Sequence, residues 1–379
     1  MKSLNIGFDA KRAVRNATGL GNYSRTLLSD LGASENTHNF RMYVPDLGRD
    51  DLRSQLTMGD NMVFVTPRGN RPRLLRQMWR IKGVVKDLVT DNIDIYHGLT
   101  GELPIGLTKA GIKSVVTIHD LIFLHHPEYY KPIDVAIYRW KFHNACREAT
   151  KIIAISERTK QDIIEFGKVS EERIKVVYQS CGTRFKTHTT EEQKADVRHI
   201  YDLPKRYILF VGTIEERKNA LLAAKALPLL PTDIHLVLVG RQTPYSAKII
   251  KYAASNNLTD RIHILSNVPT SHLYAIYQQA ECFVYPSRYE GFGLPIVEAI
   301  QSGLPVVACT GSCLEEAGGP YNIYVNPDDH LAMAHAISQS LVNSEGREER
   351  IARSQEYVRR FENRNVAQDM LNIYASMSE

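Results

Sequence analysis

The sequence predicts two doubly wound α/β domains, each a parallel sheet with helices on both faces. Three observations carry this. Short β-branched runs alternate with longer helical patterns along the whole chain. Several runs, among them VVTI, KIIAI, YILFV and HLVLV, are apolar on both faces, as strands buried in parallel sheets are. A polar stretch at 186–205, rich in Thr, Glu and Lys, divides the runs into two sets. A length of 379 residues, long for one core, agrees with two domains.

The runs of the first set are Leu4–Phe8, Phe40–Val44, Met62–Val65, Ile93–Tyr96, Ser114–Ile118, Lys151–Ile155 and Ile174–Tyr178. Those of the second are Tyr207–Val211, Ile234–Val239, Arg261–Leu265, Cys282–Tyr285, Pro305–Ala308 and Asn322–Val325. The expected domains are 1–188 and 189–361. A C-terminal helix, about 362–379, is a candidate to pack back on the first.

Composition excludes several classes. A hydrophobic content of 43% and a charged content of 23% are ordinary for a folded chain, and no fixed-period repeat occurs. The apolar stretches fall short of the roughly 20 residues that cross a bilayer. The opening MKSLNIGFDAKR has too short an apolar segment for a signal peptide, so a cytoplasmic protein is expected. Cys146, Cys181, Cys282, Cys309 and Cys313 are odd in number and scattered, which disfavours a disulfide framework and leaves buried free thiols. Cys309 and Cys313 are close in sequence, but no third ligand joins them at zinc spacing. A net charge of +5 suits anionic small molecules or an anionic membrane surface. No nucleic-acid motif accompanies it, and no nucleic-acid partner is expected.

Ligands of open parallel sheets bind beyond the carboxyl ends of the strands, which makes the residues after each run the ones to inspect. After Cys282–Tyr285 comes PSRYEGFGLPIVEAI. Pro295 suits a helix first turn, and Gly291 and Gly293 let backbone approach a ligand closely. Free amides at such a helix start form an anion site. Glu290 in the loop and Glu298 in the first turns would then accept hydrogen bonds from hydroxyls, such as those of a nucleotide sugar. A glycine-rich turn with two solvated glutamates fits the same residues. After Tyr207–Val211 comes GTIEERKNA, with Gly212, Thr213, Arg217 and Lys218. Adjacent Arg and Lys beyond a strand end can clamp a diphosphate, one by its fork and the other as a point charge.

EGFGLPIVEA and FVGTIEERKN, with TGLGNYSRTLL, DIYHGLTGELP, TIHDLIF and IIAISERTKQDI in the first half, resemble glycosyltransferase family four over nearly the whole chain. The resemblance implies the GT-B fold and a retaining transfer from a nucleotide-diphosphate sugar of the GDP-mannose or UDP-sugar type. It implies that Glu290 contacts the donor sugar and Glu298 the ribose, and that Arg217 and Lys218 bind the diphosphate. Gly212, Thr213, Gly291, Phe292, Gly293 and Leu294 would complete the donor loops, with Gly240, Arg241 and Val268 lining the base pocket. One departure is SCLEEAGG, where Glu315 stands in place of the family's frequent proline before Glu316.

In the first half, Gly19 and Gly21 do not form GxGxxG with a suitably placed acidic residue, which disfavours a dinucleotide site. The resemblance places their loop beside the donor phosphates and the acceptor, and identifies His119 as the active-site histidine. Asp120 either caps the next turn or lines the acceptor side, and His97, at another strand end, is a second acceptor-side candidate. Ser156 reads as the cap of the following helix. The segment RPRLLRQMWRIK, Arg71–Lys82, is basic and amphipathic: Arg73, Arg76 and Arg80 share one helical face, and Leu74, Leu75, Met78 and Ile81 lie largely opposite. Such a helix either packs on the sheet or rests on an anionic bilayer.

The expected enzyme is a hexosyltransferase, with mannose a candidate sugar, acting on a glycan or lipid-linked acceptor in polysaccharide synthesis. Its cations and helix dipole would neutralise the leaving diphosphate with no metal or other cofactor required. An epimerase or phosphorylase of the same fold is the alternative enzyme, and a non-catalytic nucleotide-sugar-binding protein the alternative class.

Overall fold

The protein is described by a computed structural model over residues 3–69, 72–180, 184–362 and 365–378. Arg71 and Cys181 lie outside the described residues, as does the side chain of Arg73. The chain divides into two compact units, Met1–Gln179 with Arg364–Glu379, and Ser180–Asn363. The division falls earlier than the polar stretch because Phe185 is buried against Tyr274 and Tyr277, at ring distances of 4.9 and 5.4 Å. Lys186 pairs with Glu362 within the same unit.

Each expected run is a strand, with ends displaced by one or two residues at most. The first unit holds β1 (Asn5–Asp9), β2 (Asn39–Tyr43), β3 (Met62–Val65), β4 (Ile95–Gly98), β5 (Lys113–Ile118), β6 (Lys151–Ala154) and β7 (Ile174–Val176). β4 starts two residues late because Ile93 closes the preceding helix through its N–H to the Leu88 carbonyl at 3.0 Å. The second unit holds β8 (Tyr207–Val211), β9 (His235–Val239), β10 (Ile262–Leu265), β11 (Cys282–Tyr285), β12 (Val306–Cys309) and β13 (Ile323–Val325).

The sheet orders are β3-β2-β1-β4-β5-β6-β7 and β10-β9-β8-β11-β12-β13, with every pairing parallel. In each sheet the strand order reverses once, between β1 and β4 and between β8 and β11. Connections leave these neighbours in opposite directions and open a crevice at their carboxyl ends. Central strands are buried on both faces, as Ile208, Leu209 and Phe210 of β8 are, which explains their unbroken apolar runs.

The helix Val366–Ser378 completes the first unit. Ala367, Met370, Leu371, Tyr374 and Met377 are buried in one cluster with Phe8, Leu28 and Phe40. Ser156 caps the helix Glu157–Gly167 by accepting the Thr159 N–H at 3.0 Å. Cys146, Cys282, Cys309 and Cys313 are buried and free.

The basic amphipathic segment turns its polar side inward, contrary to the packing of an apolar face on the sheet. It forms an α-helix, Arg73–Met78, a π-helical turn, Trp79–Gly83, and a further α-helix, Val84–Thr90. Its apolar residues Leu74, Leu75, Met78 and Ile81 are exposed, while Arg80 is buried between Asp9 and Glu102, with Nη1 2.5 Å from Glu102 Oε2. The polar side turns inward because Asp9, at the end of β1, and Glu102, in the loop after β4, hold the guanidinium. Among the described residues, no helix is long and apolar enough to cross a membrane.

Candidate functional site

In the second unit, the loops after β8 and β11 bring three side chains together at the switch point. Arg217 Nη1 lies 2.9 Å and Lys218 Nζ 2.8 Å from Glu290 Oε1. The two cations sit in a single 3₁₀ turn, Glu216–Lys218, which ends at Asn219 with φ of 55°. Arg217 also donates to the Tyr289 carbonyl at 2.7 Å and pairs with Glu215 at 2.8 Å. Tyr285, the last residue of β11, joins Lys218 Nζ at 2.5 Å and donates to Glu290 at 3.2 Å. Lys218 further stands over the Tyr285 ring, 4.9 Å from its centre. The sequence reading missed Tyr285, although its place at a strand end was a usable signal.

The charges of this cluster fix its protonation. Burial works to raise the Glu290 carboxyl, but Lys218 and then Arg217 outweigh it and hold the group at about 2. Burial works to lower the Lys218 ammonium, yet Glu290 and Tyr285 hold it above the ordinary lysine range. Burial and the neighbouring Glu290 push the Tyr285 phenol up to about 12. Arg217 and Lys218 thus stand among the carboxylates of Glu290 and Glu215 and the neutral Tyr285 phenol. A diphosphate would take over cation contacts that these carboxylates hold, and a carboxylate held by cations accepts hydroxyl hydrogen bonds without changing protonation.

The remaining second-unit candidates share this edge of the sheet. Gly212 follows β8 with φ of 153°, and a Cβ there would meet the Lys218 side chain at 3.5 Å. Gly240 follows β9, where a Cβ would fall 1.9 Å from the Gly212 carbonyl oxygen, a clash that only glycine avoids. Thr213 and Arg241 run alongside each other, linked by the Ile214 N–H to the Arg241 carbonyl at 2.9 Å. Val268 follows β10 and is half-buried. Gly293 caps the helix Leu294–Gln301 with φ of 111°, and Pro295 occupies its first turn. Glu298 lies on that helix and accepts from Tyr277 at 3.3 Å. Gly291 and Leu294 are half-buried in the same loop. Phe292 lies in the same loop, its ring buried edge-on against Phe361 at 5.1 Å. Where the family often has proline, the turn is tied by Cys313, whose thiol donates to the Glu290 and Phe292 carbonyls at 3.0 Å each. Glu315 and Glu316 occupy the first turn of the short helix that follows, Leu314–Gly318.

In the first unit, His119 follows β5 and lines a cavity of about 240 Å³ with Arg12, Thr100, Asp120, Tyr130 and Lys141. Its Nε2–H donates to the Leu99 carbonyl at 3.0 Å, and Nδ1 receives Gln179 Nε2 at 3.1 Å. Tyr23 stands edge-on to the ring at 4.6 Å. Burial holds the imidazole down to about 4, so it is neutral at pH 7. Asp120 lines the same cavity and caps the next turn through the Ile122 N–H at 3.3 Å.

His97 is a correction. It has 0% exposure, and its nitrogens meet Tyr374 Oη at 2.6 Å and Thr117 Oγ1 at 2.9 Å. It is a satisfied core histidine that lines no acceptor site. The glycines beside the first strand differ from each other. A Cβ on Gly21 would fall 1.7 Å from the Asn16 carbonyl oxygen, whereas Gly19 has open space around it.

Comparison with known proteins agrees with this geometry. Residues 17–180 match the model of Glycosyltransferase Family 4, and 191–357 that of Glycosyl transferases group 1. The O-antigen chain mannosyltransferase B of Escherichia coli is 28% identical over 378 residues, covering 94% of this chain and 96% of that protein. The O-antigen chain mannosyltransferase RfbU of Salmonella typhimurium is 26% identical, covering 68% of this chain and 67% of its own. In fold, a glycosyltransferase from Rickettsia africae ESF-5 superposes with a TM-score of 0.76 over 100% of both chains at 17% identity. Anabaena Alr3699/HepE in complex with UDP and glucose gives 0.76 over 98% of this chain and 100% of its own, also at 17%.

Two Rossmann-like units give the molecule the GT-B fold, and the two matched family models make it a glycosyltransferase. The chain belongs to glycosyltransferase family four, the group 1 glycosyltransferases.

Proposed function

We propose that this glycosyltransferase is a retaining mannosyltransferase that moves mannose from GDP-mannose to a glycan or lipid-linked acceptor during surface-polysaccharide assembly. The observation that carries the donor site is the contact of Arg217 and Lys218 with Glu290 beyond β8 and β11. The likeness to O-antigen mannosyltransferases along nearly the whole chain supports the sugar and the pathway class.

In this reading Arg217, Lys218 and the amides at Gly293 take the diphosphate, and Glu290 exchanges part of its contact with the cations for a mannose hydroxyl. The bond from the anomeric carbon to the diphosphate oxygen breaks with its electron pair on the diphosphate. The acceptor oxygen bonds to the same face, and its proton passes to the departing diphosphate. Preorganised cations favour the charge that grows on the leaving group, each contributing roughly a hundredfold in rate. No metal is needed for that role, and activity should persist in EDTA. Glu298 binds the ribose, and Gly240, Arg241 and Val268 line the base. Within the first unit, His119 contacts substrate that enters its cavity. The protein works in the cytoplasm at the inner face of an anionic membrane, which the Arg73–Lys82 segment contacts.

Thermal stabilisation by GDP-mannose, UDP-glucose and ADP-glucose, followed by product analysis of the stabilising donor, tests the reading. Stabilisation by GDP-mannose and a new α-mannosidic bond are expected. A product of inverted configuration, or a preference for another sugar, overturns it.

A further inference from the structure

Charged side chains from four separate elements form one chain of ion pairs in the first unit. Asp9, at the end of β1, takes Arg80 Nε at 3.1 and 3.0 Å. Arg80, in the turn Trp79–Gly83, reaches Glu102 Oε2 through Nη1 at 2.5 Å. Glu102 takes Lys141 Nζ, from the helix Pro132–Glu148, on its other oxygen, Oε1, at 3.1 Å. The signs alternate, so each charge lies beside its opposite. Side-chain exposure grades from 5% for Asp9 and 9% for Arg80 to 20% for Glu102 and 26% for Lys141.

The loop after β4 is built to deliver Glu102. A Cβ on Gly98 would fall 2.1 Å from the Glu102 carbonyl oxygen, so glycine is what lets the loop fold back. The Gly101 N–H donates to the Thr117 carbonyl of β5 at 2.8 Å, and the Leu103 carbonyl takes Asn144 Nδ2 at 2.9 Å. Backbone on both sides of Glu102 is thereby tied, on one side to β5 and on the other to the helix that carries Lys141.

Glu102 and Lys141 line the His119 cavity, with Arg80 and Asp9 behind them. The charges on that lining balance, Arg12 and Lys141 against Glu102 and Asp120. A balanced wall gives a polyanion no preference. Phe123, Tyr130 and Tyr138 add aromatic surface, the first two rings 5.6 and 6.1 Å from that of Tyr138. Hydroxyls beside a carbon-rich face suit such a wall, and a pyranose ring offers both. Burial works to raise the Glu102 carboxyl, but Arg80 and Lys141 outweigh it and hold the group at about 2, so at neutral pH it only accepts. An ammonium has three donors and each carboxylate oxygen about two acceptor directions, which leaves the pair capacity beyond its mutual bond. One ring hydroxyl can donate to Glu102 while its neighbour accepts from Lys141, and such charge-assisted bonds are about twice as strong as neutral ones.

We propose that Glu102 and Lys141 together grip two neighbouring hydroxyls of the acceptor's terminal pyranose ring, and that Arg80, braced by Asp9, is the positioning residue that aims Glu102. This rests on the glycosyltransferase reading. Arg80 touches no substrate; its fork fixes the carboxylate so that Oε1 and Lys141 Nζ present a set spacing to the ring.

Steady-state transfer to the methyl α-glycosides of mannose, glucose, galactose and N-acetylglucosamine tests this, with whichever of GDP-mannose, UDP-glucose and ADP-glucose stabilises the chain. Acceptor-free release of the nucleotide is followed in parallel. Transfer to at least one glycoside is expected. Lys141→Met and Glu102→Gln should each raise the acceptor KM about tenfold or more, with a much smaller change in the donor KM. Lys141→Met is the safer variant for folding, because its side chain is the most exposed of the chain of pairs. Arg80→Lys should raise the acceptor KM in the wild-type background and raise it no further beside Glu102→Gln. Additive effects of those two substitutions overturn the positioning role. An unchanged acceptor KM in Lys141→Met, or equal rises for donor and acceptor, overturns the gripping pair. Nucleotide release without transfer to any of the glycosides overturns the pyranose site while the donor reading stands. Neither release nor transfer with any donor overturns the enzyme reading and this proposal with it.

Discussion

Lys218 Nζ and Glu290 Oε1 lie 2.8 Å apart although they come from loops following different strands, β8 and β11. Neither charge is spare in the free protein: each holds the other ionised in a largely buried place. Lys218→Ala removes one cation from the diphosphate and leaves Glu290 with Arg217 and Tyr285. Turnover should fall by about two orders of magnitude. Near-normal kcat in steady-state assays would remove Lys218 from the leaving-group site.

Glu290→Gln keeps the shape of that side chain and removes its charge. Sugar transfer should fall by about a hundredfold, with a much smaller change in free nucleotide affinity. Calorimetric titration with GDP and UDP, beside turnover, checks the split. Equal losses in both would place Glu290 at the nucleotide instead.

Acid should destabilise the first unit at mild pH. Burial holds His97 at about 3 and His119 at about 4, both below the ordinary 6.5. Their folded pKa values are depressed, so the stabilisation tied to their neutral forms is complete above pH 6.5. It is lost as pH falls from there toward 4 and then 3, by up to about 1.4 kcal/mol per pH unit for each group. Glu290 and Glu102, held at about 2, contribute fully above 4.5 and lose that contribution between 4.5 and 2. Melting temperature should therefore fall between pH 6.5 and 4.5, before the carboxylates titrate. A flat profile over that interval would contradict the neutral histidines.

Tyr374→Phe deletes the hydroxyl that meets His97 Nδ1 and leaves a buried nitrogen unpaired. The cost should be about 1–3 kcal/mol of stability. Denaturant midpoints resolve a change of that size, and an unchanged midpoint would mean that another group satisfies His97.

Gly240→Ala places a methyl group 1.9 Å from the Gly212 carbonyl oxygen. The loops after β8 and β9 must then separate, at about 1–3 kcal/mol. A lower melting temperature together with weaker nucleotide binding is expected. Wild-type affinity in this variant would exclude the Gly240 loop from the base pocket.

The strands and the loops that follow them were legible because parallel sheets write themselves as apolar runs, and because the switch-point residues come directly after those runs. Arg217, Lys218 and Glu290 could be found that way, and the structure puts them in contact. His97 could not be read correctly. Its environment is set by Tyr374, 277 residues away, and a histidine at a strand end looks the same whether it faces solvent or a distant helix. The direction of the Leu74 stripe was hidden for a related reason. Periodicity separates two faces of a helix, but which face turns inward depended on Asp9 and Glu102 binding Arg80. Cys313 carried no local signal either, since its hydrogen bonds reach back to carbonyls of the Glu290 loop.

The helix Val366–Ser378 belongs to the first unit's core, yet every residue of the second unit precedes it in the chain. During synthesis the earlier segment emerges with Phe8 and Phe40 lacking the side chains that cover them. The second unit can mature on the ribosome while the first waits. The unit translated first is thus the last able to close, and the interval is a period when its apolar surface is open to chaperones.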